Sequence, residues 1–323
     1  MSEGRIWRVG VIGAGKHGSR YARHIVNDVD GFELAAISRR SEEGRALAGQ
    51  WRCRWHADWQ DLINDSTVDC LIAALPPMLN REVAAACALA RKPLLLEKPM
   101  ACTVADAEAI GETFYRTGVP LTIGQTLRYN PVIQAFRDRL AQIGPLLGFS
   151  TNQRLEPSPL GWMDDPELAG AGVSHQTAIH VFDALRFITG REIVRVLART
   201  RRVHTRQLED HLTALLELEG GVLGTVDCSK IGPARSGRFE FTGAGGLLQG
   251  DQVHHDCEVV DGNTRLPIDL GGPTPTIAPL LVDWLRFLRG EATNPVSPEE
   301  GLAAVRVSAA CLRSAAVETW VEV

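Results

Sequence analysis

The first third of the chain alternates between short apolar runs and stretches with helical spacing. Apolar runs that fit β-strands cover residues 6–12, 32–38, 69–75, 94–97 and 121–125. An unbroken apolar run is typical of a strand that is buried on both faces. Helical patterns of roughly 10 to 15 residues separate these runs, as crossovers between parallel strands require. The pattern therefore predicts a domain with a doubly wound parallel sheet over residues 1–125.

After Arg128 the pattern changes, and strand-like runs follow one another directly. The runs that fit strands cover residues 146–155, 193–203, 212–218, 222–228 and 237–242. Gly220-Gly221 indicates a hairpin between two of them, and helical spacing covers 174–189, 277–288 and 298–318. We therefore predict a C-terminal α+β domain over residues 126–323 with a large, mostly antiparallel open sheet. An uncovered apolar sheet face would favour a homodimer or homotetramer formed through this sheet.

Composition and charge narrow the functional class. The 323 residues are 45% hydrophobic and carry 34 basic and 39 acidic side chains, which is typical of a globular protein and argues against a nucleic-acid partner. Only Lys16, Lys92, Lys98 and Lys230 are lysines. The chain has neither a long apolar run nor a signal-like N-terminus, so we expect no membrane partner and a cytoplasmic location. Seven scattered cysteines indicate free thiols and no metal site.

A glycine-rich segment follows the first predicted strand. Gly13, Gly15 and Gly18 stand in G-x-G-x-x-G spacing, with Lys16 and His17 between the last two glycines. Such glycines allow a tight turn, close approach of the backbone to a diphosphate, and close packing of helix on strand. A purely structural turn is the alternative. The order of strand, motif, helix and second strand favours a dinucleotide cofactor.

The end of the second strand predicts which cofactor is preferred. Ser38, Arg39 and Arg40 follow Gly18 at the distance where NAD-specific sites carry an acidic residue that binds the ribose hydroxyls. A carboxylate would repel a 2′-phosphate, whereas a hydroxyl and guanidinium groups would bind one. The alternative is that both arginines are solvated loop charges. We expect NADP(H) to be preferred over NAD(H).

Glu97-Lys98-Pro99 stands at the carboxyl end of a predicted buried strand, where open parallel sheets bind ligands. An ammonium at this position could hold a substrate hydroxyl and stabilise a developing alkoxide. An isolated lysine after a strand would more simply be a surface residue.

Several motifs together resemble those of the Gfo/Idh/MocA family of oxidoreductases, and the resemblance spans essentially the whole chain. The motifs are Gly13-x-Gly15-x-x-Gly18, Leu75-Pro76-Pro77, Glu97-Lys98-Pro99-Met100, Gly124-x-x-x-Arg128-Tyr129-x-Pro131, Gly170-Ala171-Gly172 and His180-x-x-Asp183. The resemblance implies a Rossmann domain, a C-terminal domain with an open sheet used for oligomerisation, and NAD(P)-linked chemistry on sugars or cyclitols.

The same resemblance implies roles for individual residues. Lys98 takes the position of the catalytic lysine, and His180 that of the histidine that exchanges a proton with the substrate, a role suited to imidazole near neutral pH. Helical spacing places Gln176, His180 and Asp183 on one face. We expect four residues to support the site or to contact the substrate: Gln176, Asp183, Arg128 and Trp162. The expected cofactor-binding residues are those of the glycine-rich segment together with Ser38, Arg39, Arg40, Leu75, Pro76, Asn80, Glu97 and Lys98.

Two departures from the family pattern affect this interpretation. Gln176 stands where the family usually has an aspartate, and Asn80 where it usually has a histidine. An amide can orient a hydroxyl but cannot accept its proton. The sequence favours an NADP(H)-dependent oxidoreductase acting on a sugar, cyclitol or related polyhydroxylated metabolite. A catalytically silent NADP-binding regulator of the same fold is the main alternative, and a net non-redox reaction such as glycosidic cleavage is a third.

Overall fold

The computed structural model describes residues 4–323. Residues 1–3 lie outside the described residues, and they belong both to the predicted first domain and to the N-terminus in which no signal-like pattern was found. Within residues 4–323, fifteen strands combine with ten α-helices. The strands are β1 (Trp7–Ile12), β2 (Phe32–Ser38), β3 (Arg54–His56), β4 (Cys70–Ala73), β5 (Leu94–Glu97), β6 (Leu121–Gly124), β7 (Leu146–Arg154), β8 (Ile193–Arg201), β9 (His211–Leu218), β10 (Val222–Ser229), β11 (Arg238–Gly243), β12 (Gly246–Asp251), β13 (Asp256–Asp261), β14 (Thr264–Pro267) and β15 (Val321–Glu322). The helices are α1 (Gly18–Asn27), α2 (Glu43–Trp51), α3 (Trp59–Asn64), α4 (Asn80–Leu89), α5 (Val104–Thr117), α6 (Pro131–Arg139), α7 (Pro166–Ala169), α8 (Ile179–Thr189), α9 (Ile277–Leu288) and α10 (Pro298–Val317).

The first six strands form a parallel sheet in the order β3-β2-β1-β4-β5-β6. Residues of β4 and β5 are buried along the whole strand, which explains their unbroken apolar sequences. The order confirms the predicted doubly wound Rossmann sheet. It reverses direction between β1 and β4, and the carboxyl ends of strands at such a point border a ligand-binding crevice.

The remaining nine strands form a second sheet in the order β14-β13-β12-β11-β7-β10-β9-β8-β15. Its pairs are antiparallel except for β7 with β10. This arrangement confirms the predicted large, mostly antiparallel open sheet. Gly220 and Gly221 have φ values of +83° and +78° and form the predicted hairpin between β9 and β10. Strands β12 to β15 were not predicted because their sequences mix polar and apolar residues without a clear alternation.

The contacts of the chain divide it into two compact units, each built from two segments. The first unit runs to Thr126 and also contains Pro275–Leu302, whereas the second contains Leu127–Thr274 and Ala303–Val323. A single division between residues 125 and 126 therefore does not describe the fold. The reason is the packing of α9, whose buried Trp284 ring lies 5.3 Å from the ring of Phe32 at the start of β2.

One face of the second sheet lies outside the core of its unit. On β10, Val222 and Val226 point into the core while Leu223 between them is 46% exposed. The outward positions also carry charged pairs, including Arg154 with Asp227 on the neighbouring strand. The expectation of an apolar outer face is therefore only partly met, because leucines and ion pairs share the outward positions.

None of the helices in residues 4–323 has the combination of length and apolar composition needed to cross a bilayer. No disulfide joins any of the seven cysteines, all of which the structure describes.

Candidate active site

The three motif glycines occupy three different local environments. Gly13 has a φ of +82°, and a β-carbon there would lie 2.5 Å from the Ala74 carbonyl oxygen. A β-carbon at Gly18 would lie 2.2 Å from the Gly13 carbonyl oxygen, so helix α1 packs directly against the turn. At Gly15 a β-carbon would meet no atom of the described chain within 4 Å. The turn is thus closed on two sides and open at Gly15, which fits a diphosphate bound against the backbone.

Helix α1 begins at this turn and presents its amino end to the same opening. His17 is its N-cap residue and Lys16 is exposed beside it. The unpaired N–H groups and the dipole of a helix amino end favour an anion. The structure therefore brings Gly15, Lys16 and His17 together where the sequence predicts the cofactor phosphates.

Ser38 is the last residue of β2, and its backbone is hydrogen-bonded to the glycine-rich turn. Its carbonyl oxygen accepts hydrogen bonds from the N–H groups of Gly13 and Ala14 at 3.1 and 2.9 Å. The Arg39 guanidinium donates to the Ala14 carbonyl oxygen at 3.2 Å and also pairs with Glu43 on α2. Arg40 is exposed. Ser38 and Arg39 thus lie at the glycine-rich turn, and Arg39 already has an acidic partner that the sequence interpretation did not include.

A buried carboxylate connects the glycine-rich segment to the candidate catalytic lysine. Glu97, at the end of β5, is 6% exposed. Its Oε1 accepts a hydrogen bond from the Tyr21 hydroxyl at 2.5 Å and lies 2.8 Å from His17 Nε2. Its Oε2 accepts from the backbone N–H of Lys98 at 3.1 Å. Tyr21 was not predicted as a site residue, because an aromatic residue on α1 reads equally well as core.

His17, Tyr21, Glu97 and Lys98 form the Glu97 cluster. Burial and mutual contacts shift the pKa values of Glu97, Lys98 and Tyr21. Burial alone would raise the pKa of Glu97, but the charges of His17 and Lys98 and the hydrogen bonds from His17 and Tyr21 outweigh it, so the pKa lies below the usual range. Burial lowers the pKa of Lys98, and the Glu97 carboxylate opposes this shift. Burial and the adjacent carboxylate together raise the pKa of Tyr21. Glu97 therefore stays ionised and helps to keep Lys98 protonated.

The loops after β4 and β6 contribute further polar groups at the same sheet edge. Leu75 and Pro76 follow β4 and are half-buried. Asn80 begins α4 and donates a hydrogen bond from Nδ2 to the Pro99 carbonyl oxygen at 2.9 Å. Gln125, which directly follows β6, is 1% exposed and was not predicted as a site residue. A single glutamine after an apolar strand carries no signal that separates it from a loop residue.

In the second unit, Arg128 and Asp183 form a buried ion pair. The guanidinium donates from Nε and Nη2 to the two oxygens of Asp183 at 2.8 and 2.7 Å, and the residues are 4% and 0% exposed. This two-point pair fixes α8 against the segment before α6. Both residues were predicted to support the site, and the structure shows this contact for them.

The helix that carries His180 begins with one π-helical turn, Ser174–Ala178, instead of the continuous α-helix predicted from residue 174. The wider turn changes the spacing of Gln176 and His180 from that of a regular α-helix. Tertiary contacts hold it: the Val173 N–H donates to the Glu209 carbonyl oxygen at 2.8 Å, and His175 Nδ1 lies 2.8 Å from Ser308 Oγ. His180 itself is half-buried.

Gln176 lines a cavity of about 210 Å³ within the second unit. Its amide Nε2 donates to the Met163 carbonyl oxygen at 2.6 Å, and its Oε1 accepts from Lys230 Nζ at 2.7 Å. Lys230 lines the same cavity. The amide that stands in place of the family acid is therefore held in one orientation. Lys230 was not predicted, although the scarcity of lysine in the chain was a usable signal.

Two carboxylates fix a loop beside this cavity. Asp164 accepts hydrogen bonds from the backbone N–H groups of residues 206–208, and Asp210 from those of residues 203–205. For both, burial would raise the pKa, but the N–H groups outweigh it and the pKa is lowered. Trp162 is half-buried next to Met163 and Asp164, which line the cavity. No cluster of metal-ligating side chains occurs in residues 4–323.

Comparison with known proteins identifies the family. A family model described as an oxidoreductase family with an NAD-binding Rossmann fold matches residues 7–125, and one described as the GFO/IDH/MocA C-terminal domain matches residues 141–249. The chain is 31% identical to inositol 2-dehydrogenase 1 of Saccharopolyspora erythraea, over 98% of this chain and 96% of that protein. It is 30% identical to D-apiose dehydrogenase of Paraburkholderia graminis, over 82% of this chain and 71% of that protein.

Among solved structures, an oxidoreductase domain protein from Kribbella flavida shares the fold with a TM-score of 0.90 and 24% identity, over 98% of this chain and 99% of that one. The chain therefore belongs to the Gfo/Idh/MocA family of NAD(P)-dependent dehydrogenases and reductases.

Proposed function

We propose that the protein is an NADP(H)-dependent oxidoreductase that transfers a hydride between the nicotinamide and a hydroxyl or keto carbon of a sugar, cyclitol or related polyhydroxylated metabolite. The observation that carries this proposal is the Glu97 cluster, which joins the phosphate-binding turn to Lys98 at the carboxyl edge of the Rossmann sheet. Inositol and apiose, named for two relatives, are polyhydroxylated compounds and are the first substrates to test. In this proposal the first unit, which includes Pro275–Leu302, binds the cofactor, and the second unit binds the substrate.

Lys98 and His180 carry the catalytic roles in this proposal. The bound nicotinamide supplies the hydride acceptor or donor. Lys98, kept protonated with the help of Glu97, stabilises negative charge on the reacting oxygen. His180 accepts the hydroxyl proton during oxidation and returns it during reduction. Gln176, oriented by Met163 and Lys230, positions a substrate hydroxyl without accepting its proton.

Three substitutions test these roles. The substrate is first identified by following the absorbance of the nicotinamide cofactor at 340 nm. Lys98→Met should abolish turnover and leave the dissociation constant of NADPH nearly unchanged, because its charge acts on the transition state. His180→Ala should lower kcat by about 10²- to 10⁴-fold. Gln176→Asp should move the pH limb of His180 upward, because a nearby carboxylate favours the imidazolium. Native turnover in Lys98→Met and His180→Ala would remove both residues from the mechanism.

The cofactor preference rests on Ser38 and Arg39. Ser38, which is buried with its Oγ 3.4 Å from the Gly13 nitrogen, lacks the carboxylate that would exclude a 2′-phosphate, and Arg39 reaches the glycine-rich turn. The pair between Arg39 and Glu43 is exposed, so its stabilising energy is small and a 2′-phosphate can replace it.

Direct titration with NADPH and NADH tests this preference. The unmodified protein should bind NADPH more tightly, and the combined Ser38→Asp and Arg39→Ala change should reverse the order. Glu43→Gln is the matched control, because it frees Arg39 and should strengthen NADPH binding selectively. Equal or tighter NADH binding by the unmodified protein would reject the preference.

The second candidate function, a silent NADP-binding regulator, is favoured only by Gln176, because this residue cannot accept a proton. It predicts tight NADPH binding and no turnover of any polyhydroxylated compound, in either direction, even in the Gln176→Asp variant. Turnover of one compound at a rate that Lys98→Met abolishes would exclude it.

We also propose a homodimer or homotetramer formed through the outer face of the second sheet. Leu147 and Leu223 are 61% and 46% exposed on this face, and the ion pairs around them give it a polar margin. Light scattering should give a molar mass of more than one chain per particle. Leu223→Glu should shift the measured molar mass toward that of the monomer. Tyr115→Glu, at an 87% exposed position on α5, should not. A monomer of 35.2 kDa at micromolar concentration would contradict the proposal.

A further inference from the structure

Gln125 has a buried side-chain amide. The described part of the chain, residues 4–323, provides no hydrogen-bond partner for it. The residue is 1% exposed, and neither the nitrogen nor the oxygen of its side chain is hydrogen-bonded. A buried polar group without a partner destabilises the folded state. A residue that destabilises the fold in this way points to a ligand.

The topology places Gln125 beside the candidate catalytic lysine. Strands β5 and β6 are parallel neighbours in which Glu97 is paired with Gly124, so Lys98 and Gln125 follow at the same level of the sheet. Asn80, the first residue of α4, follows β4 on the other side of β5 and also has a buried oxygen, Oδ1, without a partner in the described chain. Unsatisfied amide groups therefore flank Lys98 on both sides along the carboxyl edge.

The sheet order indicates which part of the cofactor reaches this place. The glycine-rich turn follows β1, Ser38 ends β2 and Arg39 follows it, so we expect the diphosphate and the adenosine ribose at that side of the sheet. An extended dinucleotide that crosses the point of strand reversal brings its other half toward β4, β5 and β6. The nicotinamide half carries a primary carboxamide with one acceptor oxygen and one NH₂ donor. The side chain of Gln125 offers the complementary donor and acceptor.

We propose that Gln125 binds the nicotinamide carboxamide of the cofactor through hydrogen bonds from and to its own side-chain amide. The binding fixes the rotation of the nicotinamide ring relative to Lys98. The inference rests on the NAD(P) binding of the family, and it depends neither on the substrate nor on the preference for NADP(H).

The substitution Gln125→Met tests this proposal, because methionine has a similar length and no hydrogen-bonding amide. We expect NADPH and NADH binding to weaken by about 10- to 100-fold, the equivalent of the lost hydrogen bonds. Binding of ADP-ribose and 2′-phospho-ADP-ribose, which lack the nicotinamide, should change by less than about twofold. The melting temperature without cofactor should stay the same or rise, because an unsatisfied polar group has been removed.

Thr122→Val is the matched control on the same strand. Thr122 is 0% exposed, but its hydroxyl donates to Asn294 Oδ1 at 2.8 Å. Its removal should lower the melting temperature and leave the affinities for all four ligands equal to those of the unmodified protein. The two substitutions should thus have opposite effects on stability and on binding.

A second arm uses the unmodified protein and keeps the test valid if Gln125→Met does not fold. The reduced 3-acetylpyridine analogue of NADH lacks the NH₂ group of the carboxamide. The unmodified protein should bind it more weakly than NADH, and Gln125→Met should bind the two equally.

Several results would overturn the proposal. Equal binding of NADH and the analogue by the unmodified protein would do so, as would equal weakening of NADH and ADP-ribose in Gln125→Met. A lowered melting temperature with unchanged NADH binding would show that Gln125 instead bonds a buried water. All readouts are binding or stability measurements, so a failure to find a substrate would not affect them.

Discussion

At the scale of single residues, the glycines of the glycine-rich turn differ in their surroundings. Gly15 faces open space, whereas a β-carbon at Gly18 would lie 2.2 Å from a backbone oxygen that cannot move independently of the turn. Both glycines belong to the same motif, and the geometry separates their roles.

Alanine at each of these two positions should therefore have a different effect. Gly15→Ala should leave the free energy of unfolding unchanged or slightly higher, because alanine restricts the unfolded chain, yet weaken NADPH binding by at least about tenfold. Gly18→Ala should lower the free energy of unfolding by about 1–3 kcal/mol, because the turn must shift. Urea unfolding and NADPH titration measure both. Equal effects of the two variants on stability would contradict the geometry.

The charge on Lys98 depends on its neighbour Glu97, which leads to a prediction about pH. Burial lowers the pKa of Lys98, so the alkaline loss of kcat/KM, which follows its deprotonation, should lie below the ordinary value of about 10.4. Glu97→Gln removes the charge that opposes this shift, and the alkaline limb should move to still lower pH. The measurement is a pH profile of kcat/KM.

Tyr21→Phe is the control for this prediction. It removes one hydrogen bond to Glu97 but leaves the carboxylate ionised, since its pKa is already lowered by His17 and Lys98 despite burial. The limb should stay in place. An unchanged limb in Glu97→Gln would show that the observed ionisation belongs to another group.

At the scale of elements, α8 depends on the buried pair between Arg128 and Asp183. Each side chain is nearly inaccessible, so the loss of one partner removes a two-point ion pair from a charge that stays buried. The pair therefore acts on the site through the position of the helix that carries His180.

Removing one partner should cost far more than removing both. Arg128→Leu should lower the free energy of unfolding by about 3–5 kcal/mol. The double variant with Asp183→Leu should recover much of this loss, because neither charge is then buried. Denaturant unfolding of the two single variants and the double variant measures the coupling energy. Additive losses would show that the two residues stabilise the fold independently.

At the scale of the whole molecule, the return of residues 275–302 completes the cofactor-binding unit. Helix α9 buries Trp284 against Phe32, and Asn294 accepts a hydrogen bond from Thr122 on β6. The N-terminal 126 residues therefore lack part of their own core when they are considered alone.

A substitution in this distant segment should destabilise the unit that binds the cofactor. Trp284→Ala should lower the free energy of unfolding by about 3–5 kcal/mol, because a large buried side chain is lost. Val282→Ala, at a 43% exposed position of the same helix, should cost less than about 1 kcal/mol. Saturating NADPH should raise the stability of both variants, because it binds only the folded unit. A loss below 1 kcal/mol for Trp284→Ala would contradict the packing.

The sequence by itself determined the elements whose signal is local. Apolar runs and helical spacing placed β1, β2, β4, β5 and β6, the hairpin at Gly220-Gly221, and the helices α8 to α10 to within a few residues. The sequence also placed the glycine-rich turn between β1 and α1 and Lys98 directly after a buried strand, because each position depends on a short segment and on the order of elements.

Only the tertiary structure decided features that join distant segments. The ion pair of Arg128 with Asp183, the contact of Lys230 with Gln176, and the return of α9 to the first unit each connect residues more than 50 positions apart. The isolation of Gln125 is of the same kind, because a lack of partners is a property of everything packed around the side chain. Periodicity shows that a face is buried but not what it is buried against, and a polar residue is identified as functional only once its partners in space are known.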